Sequence, residues 1–327
     1  MLFQTSLLRR EEDYRKMIQL PSKVKIREVG PRDGFQIEKE FIPTEAKIEI
    51  INALADAGVS DIEATAFVSP KAVPQLRDAA EVITKIHRNG TIYSALVPNF
   101  KGAQNAVAAG VDELVVVISA SVAHNQANVR RTVDESVADL DDIFSLAAEK
   151  SIPVICSAAT AFGCPYQGDV PESDVMKLVD AYTSRGAAAV ILADTTGMAT
   201  PTRTADMVKR VKDQYPDLEI ILHLHNNRGT AMSNLLVAMM AGATVFDTAL
   251  GGMGGCPYVP QAAGNLPTED VVFMLEDMGV GTGIDLESLI RASLRLEKII
   301  GKSLPGQVMK SGPRDPKRAA ELCGINP

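Results

Sequence analysis

Residues 188–225 read AAVILADTTG MATPTRTADM VKRVKDQYPD LEIILHLH. An apolar run (Ala188–Leu192) is followed by a helical pattern (Pro201–Gln214) and then by a second β-branched run (Glu219–His223). That order is expected of a β-α-β unit with parallel strands. Working outward, the cycle recurs eight times between about residues 24 and 278. The expected strands are Val24–Val29, Asp61–Thr65, Thr91–Leu96, Glu113–Ile118, Pro153–Ser157, Ala188–Leu192, Glu219–His223 and Thr244–Ala249. Helices are expected near Thr44–Ala57, Leu76–His87, Phe100–Ala109, Val133–Glu149, Glu172–Ser184, Pro201–Gln214, Thr230–Ala241 and Thr268–Met278. Gly58, Gly110, Gly186 and Gly242 each stand where a helix gives way to the next strand, the position that lets a chain leave through a left-handed conformation.

Eight regular cycles point to an α/β fold, a closed (β/α)8 TIM barrel. A doubly wound sheet would present fewer strands and a Gly-rich nucleotide turn, and no G-x-G-x-x-G or Walker-type loop opens a helix here. A single TIM-barrel domain is expected over residues 1–327, with the barrel core at about 24–280 and a C-terminal helix and tail at 281–327. Met1–Leu20 reads as an N-terminal extension, a helix or cap. Leu286–Ile300 reads as an extra amphipathic helix, and Gly301–Pro327 as an extended or partly disordered tail.

The bulk chemistry narrows the class. With 46% hydrophobic residues and 23% charged, the chain has material for a large core. A net charge of -8 disfavours nucleic acid or an anionic membrane as main partner. The first twenty residues carry Arg9, Arg10, Glu11, Glu12 and Asp13 and lack a secretory h-region, and apolar runs such as Glu113–Ala120 are too short to span a bilayer, so a cytoplasmic protein is expected. Four dispersed cysteines (Cys156, Cys164, Cys256, Cys323) suggest reduced thiols.

His223-Leu224-His225 ends the seventh strand, and residues i and i+2 of a strand face one side, so two of the four histidines converge at the C-terminal mouth where barrel enzymes place their sites. Such a pair suits Zn, Mn, Fe or Ni, and a hard oxygen partner widens the choice to Mg. The alternative is two imidazoles satisfied by nearby carbonyls. The first strand runs into Gly30-Pro31-Arg32-Asp33-Gly34, a turn that sets a guanidinium beside a carboxylate. Asp33 is a candidate third ligand and Arg32 a candidate for an enolate or carboxylate oxygen, or the two form a surface ion pair. Glu63, within the second strand, needs a partner, for which Arg32 is the candidate. Four glycines in five positions (Gly251, Gly252, Gly254, Gly255) precede Cys256, which reads either as a proton donor on a mobile loop or as a small packed residue. Asn265 offers an amide oxygen or a turn cap. Asp194, before Thr195-Thr196-Gly197, is a mouth candidate or a turn carboxylate.

Together these residues resemble the 3-hydroxy-3-methylglutaryl-CoA lyase (HMG-CoA lyase) branch of the DRE-type metal-dependent barrels. The likeness covers nearly the whole chain. It rests on Val29-Gly30-Pro31-Arg32-Asp33-Gly34-Phe35-Gln36, Phe67-Val68-Ser69-Pro70-Lys71, Gly163-Cys164-Pro165-Tyr166, His223-Leu224-His225, and Gly254-Gly255-Cys256-Pro257-Tyr258 with Gly264-Asn265-Leu266. The resemblance implies an acyl-CoA thioester substrate and retro-Claisen cleavage to acetyl-CoA and acetoacetate, as in leucine degradation and ketone-body metabolism. It also implies Mg2+ or Mn2+ held by Asp33, His223, His225 and Asn265, and a homodimer. It assigns enolate stabilisation to Arg32, orientation to Glu63, proton transfer to Cys256, proton abstraction to Asp33 or a ligating histidine such as His223, and a place in the substrate pocket to Gln36.

The chain departs from the best-known members at Asn226-Asn227-Arg228-Gly229, where they carry an acidic and aromatic version, and at Ile191 and Ala193, where they are polar or glycine. These changes border the pocket, bear on the acyl group, and give Arg228 a carboxylate to contact. Other readings are a related 3-hydroxyacyl-CoA lyase, a Claisen-condensing synthase, an aldolase on a non-thioester, and a catalytically silent metal- or acyl-CoA-binding barrel.

Overall fold

The computed structural model describes residues 20–255 and 264–324. The expected extension over residues 1–19 lies outside the described residues. Eight strands, β1 (Lys25–Glu28), β2 (Asp61–Ala66), β3 (Ile92–Leu96), β4 (Glu113–Ser119), β5 (Val154–Ala159), β6 (Ala189–Asp194), β7 (Glu219–Leu224) and β8 (Val245–Thr248), form a closed barrel in chain order, all parallel, with β8 returning to β1. This is the expected (β/α)8 barrel.

Between and after the strands lie α1 (Thr44–Asp56), α2 (Ala79–Lys85), α3 (Phe100–Ala109), α4 (Val122–Val129), α5 (Val133–Ala138), α6 (Leu140–Lys150), α7 (Glu172–Thr183), α8 (Pro201–Gln214), α9 (Ala231–Met240), α10 (Thr268–Asp277) and α11 (Leu286–Ile300), the extra helix. The four glycines expected to end helices all have positive φ: 96° at Gly58, 87° at Gly110, 83° at Gly186 and 101° at Gly242.

Three expectations are corrected. The helix read at Leu76–His87 starts later, because Pro74–Leu76 forms a 3-10 turn before α2. The helix read at Val133–Glu149 divides at Asp139 into exposed α5, begun by a Thr132/Glu135 capping box, and α6, which buries Leu140, Ile143 and Ala147. The expected extended tail instead forms α12 (Val308–Ser311) and α13 (Pro316–Cys323). Asp315 caps α13 by accepting from the backbone N–H of Lys317 and Arg318, Pro316 occupies its first turn, and Gly324 closes it in the left-handed region. Arg318 pairs with Glu287 on α11, which fixes the tail to the barrel.

The main core lies between the outer faces of the strands and the helices, with Ile50, Ile51, Leu54, Ile62, Val179, Leu222 and Phe246 among its fully buried residues. Each such aliphatic burial is worth about 1.5–3 kcal/mol. A separate cluster, Val115, Ile155, Ala189, Ile191, Ala193, Ile221 and Val245, fills the barrel interior and closes its floor below the mouth. Among the described residues no helix is long and apolar enough to cross a membrane.

Candidate metal centre

At the end of β7, alternation sets His223 and the following His225 on the inner side, and their Nε2 atoms lie 3.0 Å apart. The third group comes from β1. After Glu28 the chain winds into a tight π-helical turn, Gly30–Gly34, fixed by the Asp33 N–H donating to the Val29 carbonyl at 2.7 Å. This turn points Asp33 inward, with Oδ2 3.8 Å from His225 Nε2. Ligand atoms of Asp33, His223 and His225 all fall within 4.8 Å of one another, and all three residues are buried.

The donor set fits a divalent cation. Two facing imidazole nitrogens repel unless a proton or a cation lies between them, and the carboxylate beside them supplies hard oxygen. Asn265 completes the surroundings: its Nδ2 donates to Asp33 Oδ2 at 2.7 Å and to the Met253 carbonyl at 3.1 Å, leaving buried Oδ1 without a hydrogen-bond partner among the described residues. A neutral amide oxygen left over beside a carboxylate and two imidazoles is a natural fourth ligand.

The electrostatics support this. Burial would raise the Asp33 pKa, but the Arg32 guanidinium and the two imidazoles hold the carboxyl far below its ordinary range, so it stays ionised. Arg32 donates to Asp33 Oδ1 at 2.5 Å through Nη1 and to Glu63 Oε1 through Nε, so the carboxylate from β2 holds the guanidinium from the other side. The pairing expected for Glu63 is therefore present. Gln36 Nε2 reaches the same Asp33 oxygen at 3.2 Å.

Behind the imidazoles lies a residue that sequence reasoning missed. His223 Nδ1 meets Asp247 Oδ2 of β8 at 3.1 Å, which directs the Nδ1 hydrogen away from the mouth and leaves Nε2 as acceptor toward a ligand. Burial disfavours a charged imidazole at both positions. At His223 the Asp247 contact overcomes it and raises the pKa, whereas at His225 burial prevails and lowers it. The signal that exposed Glu63, a charge inside an apolar strand, was equally present at Asp247 in Val245-Phe246-Asp247-Thr248.

Glu28 faces the other way and acts as a clamp. Its Oε1 accepts from the backbone N–H of Gly30 at 2.8 Å and of Leu250 at 2.9 Å, and its Oε2 from the Thr268 hydroxyl at 2.5 Å. The turn bearing Asp33 and the glycine-rich segment after β8 are thereby tied to one carboxylate.

Two further candidates stand beside the cluster and bond to backbone, Asp194 being in register with Leu224 of β7. Asp194 ends β6 and spends Oδ1 on the backbone N–H of Met198 and Ala199, at 2.7 and 3.1 Å, while burial pushes its pKa up to about 6. Arg228 donates to the carbonyls of Thr196 and Gly197 at 2.8 and 3.0 Å, stapling the loops after β6 and β7 together. Cys256 lies outside the described residues. Cys156, Cys164 and Cys323 are free thiols.

A closed (β/α)8 barrel with a carboxylate and two imidazoles at its mouth defines a class of metal-dependent barrel enzymes. Residues 23–295 match the HMGL-like family model, and the chain belongs to that family. It is 43% identical over 295 residues to hydroxymethylglutaryl-CoA lyase YngG of Bacillus subtilis, covering 89% of this chain and 99% of the relative. It is 42% identical over 274 residues to the human mitochondrial hydroxymethylglutaryl-CoA lyase, covering 84% of each. Among solved structures, an HMG-CoA lyase from Acinetobacter baumannii in complex with coenzyme A and 3-methylmalate superposes with a TM-score of 0.87 at 44% identity, covering 94% of this chain and 98% of that one.

Proposed function

We propose that this protein is a carbon–carbon lyase that cleaves 3-hydroxy-3-methylglutaryl-CoA to acetyl-CoA and acetoacetate, assisted by Mg2+ or Mn2+. The observation that carries the reading is the convergence of Asp33, His223 and His225 within 4.8 Å, beside a guanidinium that Glu63 holds in place.

When bound, a divalent cation supplies Lewis acidity toward the substrate's hydroxyl and carboxylate oxygens. Asp33, His223, His225 and Asn265 would hold it. The substrate's tertiary hydroxyl must lose its proton, and in this reading Asp33 or a ligating histidine such as His223 takes it. The carbon–carbon bond then breaks, its electron pair passes to the thioester carbon chain as an enolate, and the former carbinol carbon becomes the ketone of acetoacetate. Arg32 stabilises the enolate oxygen with a fixed charge that needs no reorganisation, and Glu63 keeps the fork aimed. Cys256, next in sequence to Gly255, is the residue to which this reading gives delivery of the proton that converts the enolate to acetyl-CoA. Gln36, Asp194 and Arg228 contribute to the substrate pocket. We read the protein as one barrel domain acting as a cytoplasmic homodimer. The decisive assay measures acetyl-CoA release from 3-hydroxy-3-methylglutaryl-CoA with Mg2+ or Mn2+, set against condensation of acetyl-CoA with 2-oxo acids. Release without condensation is expected, and condensation alone would overturn the reading.

A second reading, a lyase for a related 3-hydroxyacyl-CoA thioester, is supported by one exposed apolar side chain on the inner side of the barrel. Val117 shares the inner face of β4 with buried Val115 yet is 39% exposed. Its register runs through Ser157 to Ile191. A thioester panel that varies the alkyl group, and includes 3-methylmalyl-CoA because the A. baumannii relative binds 3-methylmalate, separates the two by kcat/KM.

A further inference from the structure

Inside the barrel, one row of polar residues crosses four adjacent strands. Asp61 of β2 is in register with Arg27 of β1, Arg27 with Asp247 of β8, and Asp247 with His223 of β7. Arg27 has no exposed surface, and Asp61 and Asp247 are 1% and 2% exposed. Its Nη1 donates to Asp247 Oδ1 at 2.8 Å, its Nε faces Asp61 Oδ2 at 3.3 Å, and its Nη2 donates to Ser94 Oγ at 3.4 Å. The second oxygen of Asp247 is the one that meets His223 Nδ1. Asp247 is therefore divided between a guanidinium on one side and a candidate metal ligand on the other.

Stability does not explain the row. Desolvating a guanidinium and two carboxylates costs several kcal/mol per ion, and an apolar replacement of similar volume is often as stable or more so. The adjoining interior positions, Ile155, Ile191, Ile221 and Val245, show that this barrel fills its axis with aliphatic side chains elsewhere. What the ions add is direction. A carboxylate bonded only to an imidazole can rotate about its own axis. One held through its other oxygen by a guanidinium Nη1, itself ion-paired with a second carboxylate, is far more restricted.

We propose that Arg27, with Asp61 as its counter-charge, is a positioning residue for the metal centre. By fixing Asp247 it aims His223, so that Nε2 stands ready beside His225 and Asp33 before any cation arrives. Arg27 touches neither metal nor substrate and acts only through Asp247. This rests on the metal reading of the site given above.

The test measures Mn2+ affinity of the purified full-length protein by the electron paramagnetic resonance of free Mn2+, without substrate, alongside thermal melting of the metal-free protein. The deciding variant is the charge-balanced pair Arg27→Met with Asp61→Leu. It is expected to melt near the native temperature and to bind Mn2+ about tenfold more weakly, within the range seen when groups behind metal ligands are removed. Its turnover is expected to recover as Mn2+ is raised, which a collapsed barrel would not show. A loss of affinity smaller than threefold in the folded pair overturns the proposal. Should the pair fail to fold, Arg27→Lys, which keeps the charge but loses the fork, is judged by the same threshold. If the native protein binds no Mn2+, the metal reading falls and takes the proposal with it. If native and variant bind equally well, the proposal alone falls.

Discussion

The Nε2 atoms of His223 and His225 face each other at 3.0 Å, with Asp33 Oδ2 3.8 Å from the second. Both nitrogens cannot be bare at that separation without repulsion, and a cation that replaces the proton between them, with Asp33 beside it, is expected to stabilise the native state. A ligand present at a hundred times its Kd adds about 2.7 kcal/mol. Saturating Mn2+ should therefore raise the melting temperature by several degrees over protein stripped with a chelator, and His223→Ala should abolish the rise. An unchanged melting curve for the native protein would sink the site.

Arg32 is expected to matter far more for turnover than for holding metal. Arg32→Gln keeps a polar side chain beside Glu63 but removes the fixed charge. Loss of a preorganised charge-stabilising donor typically costs about 100- to 1,000-fold in kcat. A steady-state assay of Arg32→Gln should show a fall of that size, with Mn2+ affinity within a few-fold of native. Near-normal turnover would rule out the enolate role.

Gly254 has φ 92°, and a β-carbon there would overlap Asn265 Nδ2 and stand 3.1 Å from Asp33 Oδ2. Only glycine leaves this approach to the ligand set open. Gly254→Ala should lower both Mn2+ affinity and kcat by about tenfold, with a melting shift equivalent to about 1–2 kcal/mol of backbone strain. Isothermal titration with Mn2+ checks the first effect, and an unaltered Kd would show that the segment has room to yield.

Glu269 gives a pH signature. Burial raises its pKa from 4.5 to about 8, although the Gly251 N–H donates to its Oε2 at 3.0 Å. Below pH 4.5 the carboxyl is protonated in folded and unfolded chains alike. Between 4.5 and about 8 only the folded chain keeps the proton, so stability falls as pH rises through that window. Glu269→Gln removes this dependence, and its stability advantage over the native protein should grow by a few kcal/mol from pH 5 to pH 8 in urea melts. A difference that stays flat with pH would show that Glu269 titrates normally.

The strands and most helices were legible because each carries its period and its stop signal locally. Helix α4 was not, for a physical reason: Val122–Val129 contains little apolar repetition, and Arg130 leaves it at φ 57° where a glycine would have announced the exit. The tail is helical where an extended segment is expected because its Gly and Pro residues mark helix ends: Asp315-Pro316 opens a helix and Gly324 closes it. At the site, Asp33, His223, His225 and Glu63 stood out by residue type and position. Arg27, Asp61 and Asp247 carry the same sign, a charge within a strand, but which of them pair depends on which strands become neighbours when the barrel closes.

That closure joins Arg27 to Asp247 across 220 residues. A nascent chain leaving the ribosome carries Arg27 and Asp61 long before their last partner is made, and β1 keeps an open edge until β8 emerges. Such distant pairing is slow and leaves strand edges open to aggregation. Stalled chains that stop before Val245 should be cut readily by protease around β1, while those extended past Leu304, which packs against Gly251, should resist. Assembly of the reactive cluster is thus postponed until β8 has been made, and a chaperone has more than two hundred residues to shelter in the meantime.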